Sequence, residues 1–359
     1  MADTLPQHLP ALDGLRALAA MGVVVTHVSF QTRTGWSFAE RFDYFVAVFF
    51  ALSAFVLWRR RGWHTAGGYY LSRAGRILPA YWVCVVAVIL LFPDARSMTW
   101  TQVLANLTST QVFVVDGLAP GLTHLWSLCA EIAFYICLPL LVLGLGRFRF
   151  WPRVVLIASA GLVSLGWAWL PFVRAFEEDS SGVNSQIWPP AYFLWFAVGM
   201  LAAEFEGRVP RLRSLFRQRW LWLVLAAFFM WLGSREWFGP QGLIHPSAGE
   251  FARRVAVGGA FAFCVVVPYA LAPQARFLES PVMQALGRWS YGIFLWHVAV
   301  LGLCFPLLDI PVFSGNHVDF FVILLATLAL TIPLAAASYV LVEEPARRAV
   351  RRLRRPASV

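Results

Sequence analysis

The chain has 359 residues, of which 59% are hydrophobic, 16% aromatic and only 13% charged. A soluble domain of this size is about a quarter charged. Because the apolar residues also fall in long blocks, the composition excludes an ordinary soluble protein and reads as an all-α polytopic membrane protein. The formal net charge of +10 invites a nucleic-acid reading, but the basic residues lie between the apolar blocks, where membrane topology accounts for them, so no nucleic-acid partner is expected.

Ten apolar segments follow one another, at about 11–30, 42–58, 77–93, 124–146, 153–173, 190–206, 220–236, 252–272, 288–308 and 319–342. Each is about long enough to cross a ~30 Å hydrocarbon core, given tilt and interfacial aromatics. A polar leader runs straight into the first segment with no A-x-A-like site after it, so that segment is expected to be a retained span and not a cleaved signal. All 29 basic residues other than histidine are arginine, a bias that points to a GC-rich bacterial genome and hence to the bacterial cytoplasmic membrane. With the N-terminus in the cytoplasm, most arginines fall inside. Arg33, Arg41, Arg96, Arg174, Arg235, Arg253 and Arg254 remain outside, together with the acidic run Glu177, Glu178 and Asp179. That asymmetry fits the positive-inside rule with both termini cytoplasmic. Residues 59–76 form a basic, aromatic inner stretch, and residues 94–123 an outer segment with an interfacial helix from Thr101 to Val115. A membrane domain is expected at 8–348, and a basic cytoplasmic tail facing anionic lipid headgroups at 349–359. Cys84, Cys129, Cys137, Cys264 and Cys304 lie in apolar segments without C-x-x-C spacing, which reads as buried free thiols and no metal site.

Candidate chemistry begins in the first segment. Arg16 and His27 are eleven residues apart, three helical turns, so both project from one face with roughly 16 Å between them along the axis. Arg16 alone reads equally well as an interfacial anchor that snorkels. His27 has apolar residues behind it, and a neutral imidazole there suits a general base towards a hydroxyl. Arg73 and Arg76 share a face at the inner end of the third segment. Positive-inside anchoring would explain them, and so would a bidentate clamp on phosphoryl oxygens. His124, Glu131 and Tyr135 form one stripe on the fourth segment. His124 fits the outer interface, whereas Glu131 lies about two turns into the membrane and must be protonated, paired or facing a polar cavity. Its depth resembles that of His27, which leaves a His–Glu pairing open. His297 is mid-span in the ninth segment and alone reads as a hydrogen-bonded structural histidine. Ser53 and Ser290 read as helix-packing residues.

Taken together, these segments resemble the integral-membrane acyltransferase-3 family. The resemblance rests on Arg16 and His27, Phe49-Phe50-Ala51-Leu52-Ser53-Ala54-Phe55, Arg73-Ala74-Gly75-Arg76 with Pro79 and Tyr81, the run from His124 to Tyr135, Ser290 to His297, and Glu343-Glu344-Pro345. It spans about residues 8 to 348. Ala54 stands where the family usually has glycine, Ile132 where a second glutamate is frequent, and Phe294 where tyrosine is usual. Members fused to a C-terminal SGNH hydrolase-like domain form a second class, which this chain is expected not to join.

The resemblance implies a ten-helix core and transfer of an acyl group, often acetyl, from acyl-CoA to a hydroxyl of a glycan or a glycosylated small molecule. No bound cofactor is implied; acetyl-CoA is the expected donor substrate. Arg16, Arg73 and Arg76 are then expected to bind the polyanionic CoA and His27 to deprotonate the acceptor. Glu131 is expected to assist His27 or line the acceptor site, with His124, Tyr135, His297 and Ser53 as acceptor-site or structural candidates. The rival reading is a multi-pass transporter or flippase for a sugar-lipid or small solute, which would also use buried histidine and glutamate. A bland membrane scaffold is the third.

Overall fold

A computed structural model describes residues 8–62, 65–178, 182–240 and 245–353, with the side chains of 176–178 also outside the description. Its described residues are mostly helical and contain no strand. Long apolar runs in lipid must satisfy every backbone N–H and C=O internally, and the helix does this within a single segment. Eight helices are long and apolar enough to cross a membrane: α1 Pro10–Thr32, α2 Ser37–Arg59, α3 Ala66–Leu91, α4 Thr123–Gly146, α5 Phe150–Ala175, Ala248–Leu271, Pro281–Leu307 and His317–Leu353. A ninth span exists if Pro210–Arg217 and Arg219–Gly233, bent by 70°, are counted as one. The protein is a multi-pass membrane protein.

The sixth expected segment, 190–206, is helical but falls below the length of the eight spans. Pro189 and Pro190 hold its start in a 3₁₀ turn, and the α-helix proper, α6, covers only Phe193–Phe205. Thirteen residues rise about 20 Å, well short of a ~30 Å core. It ends at Glu204, Glu206 and a left-handed Gly207, which the apolar run hides from a reading of hydrophobicity alone. The remaining helices are α7 Arg219–Gly233, α8 Ala248–Leu271, α9 Pro281–Leu307 and α10 His317–Leu353.

Helix α1 is the hub, packed against α2, α9 and α10, while α6 sits among α2, α5 and α8. Small residues allow these approaches, as is usual where no hydrophobic effect drives helices together in lipid. A Cβ on Gly287 would collide with the Asp13 carbonyl, and one on Gly199 with the Ala51 carbonyl. His8 and Arg347 line one cavity, so the two ends of the described chain lie at the same end of the bundle. The stretch expected as an interfacial helix is Trp100–Leu107 with a capping box from Thr99 and Gln102, followed by a 3₁₀ turn at Gln111–Phe113. The basic 59–76 stretch is largely helix, because α3 starts at Ala66 with Thr65 as its cap. Four of the five cysteines are buried and free, whereas Cys137 is exposed, a correction to the expectation that all five are inside. The acidic run Glu177–Asp179 and tail residues 354–359 fall outside the described side chains.

Candidate functional site

Two cavities open along the inner faces of α1, α2, α3, α9 and α10. The larger, about 270 Å³, is a basic vestibule at the Arg16 end. Arg16, Arg59, Arg60, Arg76, Arg288 and Arg347 line it, offset by Asp13 and Glu343. Arg16 donates through Nη1 to Asp13 Oδ1 at 2.7 Å, and His8 Nε2 sits 2.7 Å from Asp13 Oδ2. Several guanidinium groups around one hollow, with few carboxylates to neutralise them, make a site for a polyanion such as a phosphorylated ligand.

Arg16 and Arg76 line the smaller cavity as well, about 70 Å³, which continues into the bundle. Here Ser53 and Tyr135 both donate short hydrogen bonds to Glu131 Oε1, and the Tyr135 hydroxyl lies 3.2 Å from Ser53 Oγ. Glu131 therefore does not reach His27, and the open question of a His–Glu pair resolves against pairing. The stripe on α4 divides instead: Glu131 and Tyr135 face the inner cavity, while His124 lies nearer the other end. Ser53 is a partner in this network and not simply a packing residue. Arg73 and Arg76 also part company. Arg76 lines both cavities and Arg73 neither, although Arg73 stays within electrostatic range of Arg16, Arg76 and Tyr135.

Three histidines meet at the opposite end of the bundle. The ring of His297 is 5.0 Å from that of His27 and 4.7 Å from that of His124, and the His27–His124 separation is 6.1 Å. His124 and His297 are buried and His27 partly exposed. Their hydrogen bonds fix their protons. His297 Nδ1 faces the carbonyls of Phe294 (2.8 Å) and Ile293 (3.1 Å), which only accept, so Nδ1 carries the proton. His27 Nδ1 donates to Val23 O at 2.8 Å and lies 3.2 Å from His297 Nε2. His124 Nε2 donates to Leu295 O at 3.2 Å, leaving its Nδ1 buried without a partner. None of these rings joins a carboxylate ion pair among the described residues. A buried imidazolium without a counter-ion is costly, so the cluster is neutral and His27 presents an unprotonated Nε2. Phe294 joins the two regions: it lines the inner cavity, and its ring lies edge-on to His124 at 5.2 Å.

A match to the acyltransferase domain family covers residues 9–336. The chain belongs to this family. Similar proteins include the O-acetyltransferase OatA of Staphylococcus aureus, 23% identical over 388 aligned positions, 96% of this chain and 58% of that one. The peptidoglycan O-acetyltransferase OatA of Listeria monocytogenes is 23% identical over 85% of this chain and 51% of its own length. The acyltransferase MdmB of Streptomyces mycarofaciens is 28% identical over 82% of this chain and 79% of its own. The chain thus spans little more than half the length of the two OatA proteins. No solved structure is significantly similar to it.

Some site residues have no signature in sequence. Arg59, Arg60, Arg288 and Arg347 read as topology signals, yet they line the vestibule. Glu343 has no assigned role in the sequence reading, but its side chain is buried on the vestibule wall with Oε1 unpartnered. It closes a π-helical segment, Tyr339–Glu343. Pro345 two residues later lacks the N–H that would bond Leu341, and this favours the wider turn. Its membership of the Glu343-Glu344-Pro345 run at the end of the last apolar segment is the signal that marked the position, though not the role.

Proposed function

We propose that this acyltransferase-family protein transfers an acyl group, acetyl by preference, from acyl-CoA to a hydroxyl of a glycan or glycosylated small molecule, in the bacterial cytoplasmic membrane. The observation that carries the reading is the placement, on one helix, of Arg16 in a basic vestibule and of His27 with its Nδ1 at 2.8 Å from the Val23 carbonyl, which leaves Nε2 for the acceptor. The relatives point the same way, since two are named O-acetyltransferases and the third an acyltransferase.

In this account the vestibule end is cytoplasmic, a placement supported by the arginine distribution. The phosphates of CoA sit among Arg16, Arg76, Arg288 and Arg347, with Arg73 adding field from behind. The pantetheine arm and thioester extend past Ser53, Glu131 and Tyr135 towards Phe294 and the histidines. His27 Nε2 takes the proton of the acceptor hydroxyl as its oxygen attacks the thioester carbonyl. The C–O bond forms, the C–S bond breaks, and the departing thiolate takes the proton from the imidazolium. The acceptor approaches from the His27 end, the outer side in this orientation.

The test supplies radiolabelled acetyl-CoA to sealed membrane vesicles containing the protein. Label incorporated covalently into glycan or a glycosylated small molecule, and lost in His27→Ala, supports the account. Movement of unmodified solute that survives His27→Ala would establish the transporter reading in its place.

A further inference from the structure

We propose that His297 is a positioning residue that selects the tautomer of His27. The inference rests on the reading of His27 as the base, and it starts from the 3.2 Å contact between His297 Nε2 and His27 Nδ1. Both Nδ1 atoms are committed as donors to helix carbonyls one turn back: His27 to Val23 O at 2.8 Å, His297 to Phe294 O at 2.8 Å. With its proton on Nδ1, neutral His297 has a lone pair on Nε2. That lone pair is a second acceptor for the shared His27 Nδ1–H.

The consequence falls on the far side of the His27 ring. A neutral imidazole carries one proton, so holding it on Nδ1 with two acceptors leaves Nε2 as a lone pair. The alternative tautomer would put the lone pair of His27 Nδ1 against both the Val23 carbonyl and the His297 lone pair, three acceptors with no proton between them. His297 is suited to the task because it is fully buried and its own orientation is locked by two carbonyls. His124 packs on it at 4.7 Å and prevents the ring from turning away. A carboxylate in the same place would also fix the tautomer, but it would draw the proton towards a stable ion pair. A neutral imidazole orients His27 without adding charge to an apolar region.

The experiment uses the full-length protein in lipid vesicles with histidine ring nitrogens labelled with ¹⁵N, and assigns His27 by difference from His27→Ala. Wild type should show the His27 proton on Nδ1. His297→Leu should spread that signal over both tautomers and lower kcat roughly 10–100-fold, as loss of an orienting partner typically does, with KM for acetyl-CoA and acceptor within about twofold. His297→Gln, whose side-chain oxygen can accept in the place of Nε2, should restore the Nδ1–H signal and most of kcat. A His27 signal unchanged in His297→Leu, or a wild-type signal showing His297 unprotonated at Nδ1, would overturn the proposal. So would equal loss of kcat in His297→Leu and His297→Gln, the pattern of a purely structural role. The tautomer is read without turnover, so the acyl-transfer reading could fail while this one stands.

Discussion

Arg153 grips Glu204 with two guanidinium nitrogens, Nε to Oε1 at 2.7 Å and Nη2 to Oε2 at 2.8 Å. Trp58 Nε1 donates to the same carboxylate at 2.7 Å, and Arg61 Nη2 approaches it at 3.1 Å. Glu204 thereby ties α5 and α6 to the end of α2. Removing one partner of a buried pair strands the other charge, at a cost of about 3–5 kcal/mol. Glu204→Ala should therefore sharply lower the thermal midpoint in detergent and the yield in membranes. Replacing both Glu204 and Arg153 by methionine should restore much of the loss. Equal damage from the double variant would show that the pair itself is needed.

Gly75, between Arg73 and Arg76 on α3, lets the end of α10 approach closely. Val350, near the end of α10, lies against Gly75, where a Cβ would collide with it. Gly75→Val should push the α10 terminus outward at a cost of about 1–3 kcal/mol, the usual range for overpacking. Adding Val350→Ala should recover most of that stability. Thermal denaturation of the four proteins of this cycle gives the coupling directly, and strict additivity would mean that the contact is not made.

Arg73 and Arg76 should behave differently, although the sequence presents them as equivalents. Arg76 lines both cavities and Arg73 neither. Arg76→Ala should raise KM for acetyl-CoA on the order of tenfold, about the worth of one charge-assisted hydrogen bond. Arg73→Ala, acting only through the field, should change it two- to threefold and lose that effect at high salt. Steady-state kinetics at two ionic strengths decides the matter, and identical effects of the two substitutions would refute this division.

Thiol chemistry probes which surface faces outward. Of the five cysteines only Cys137 is exposed. In mild detergent one thiol per chain, facing the hydrocarbon side of α4, should react preferentially with an apolar, membrane-permeant maleimide, and all five after denaturation. Loss of the fast-reacting thiol in Cys137→Ser identifies it. A second fast thiol in the native protein would contradict the packing described here.

Much of the fold was legible in the sequence because hydropathy directly reports the cost of exposing backbone and side chains to lipid. At 190–206 the structure departs from a regular α-helical span because hydropathy does not see where a helix starts. Two prolines and a glycine shorten α6, while its apolar composition reads as a full span. Candidate residues were legible as a set where one helix carries them, as with Arg16 and His27. The site was illegible where partners come from distant segments. Sequence spacing put Glu131 at a depth similar to that of His27, yet helix rotation turns Glu131 towards Ser53 and Tyr135. The same spacing gave no hint that His27, His124 and His297 meet, since contacts between α1, α4 and α9 are set by tertiary packing. Arg288 and Arg347 illustrate the reverse case, in which residues that obey a topology rule also line the site.

The most direct test of the central claim separates donor binding from transfer in His27→Ala. Acetyl-CoA binding and acetyl transfer are measured on the same purified preparation in lipid, beside wild type. The account predicts that the variant binds acetyl-CoA within about twofold of wild type, because the vestibule lies roughly 16 Å away along α1. It also predicts that transfer falls by at least about a hundredfold, the contribution expected of a general base. Transfer by His27→Ala at the wild-type rate would contradict it.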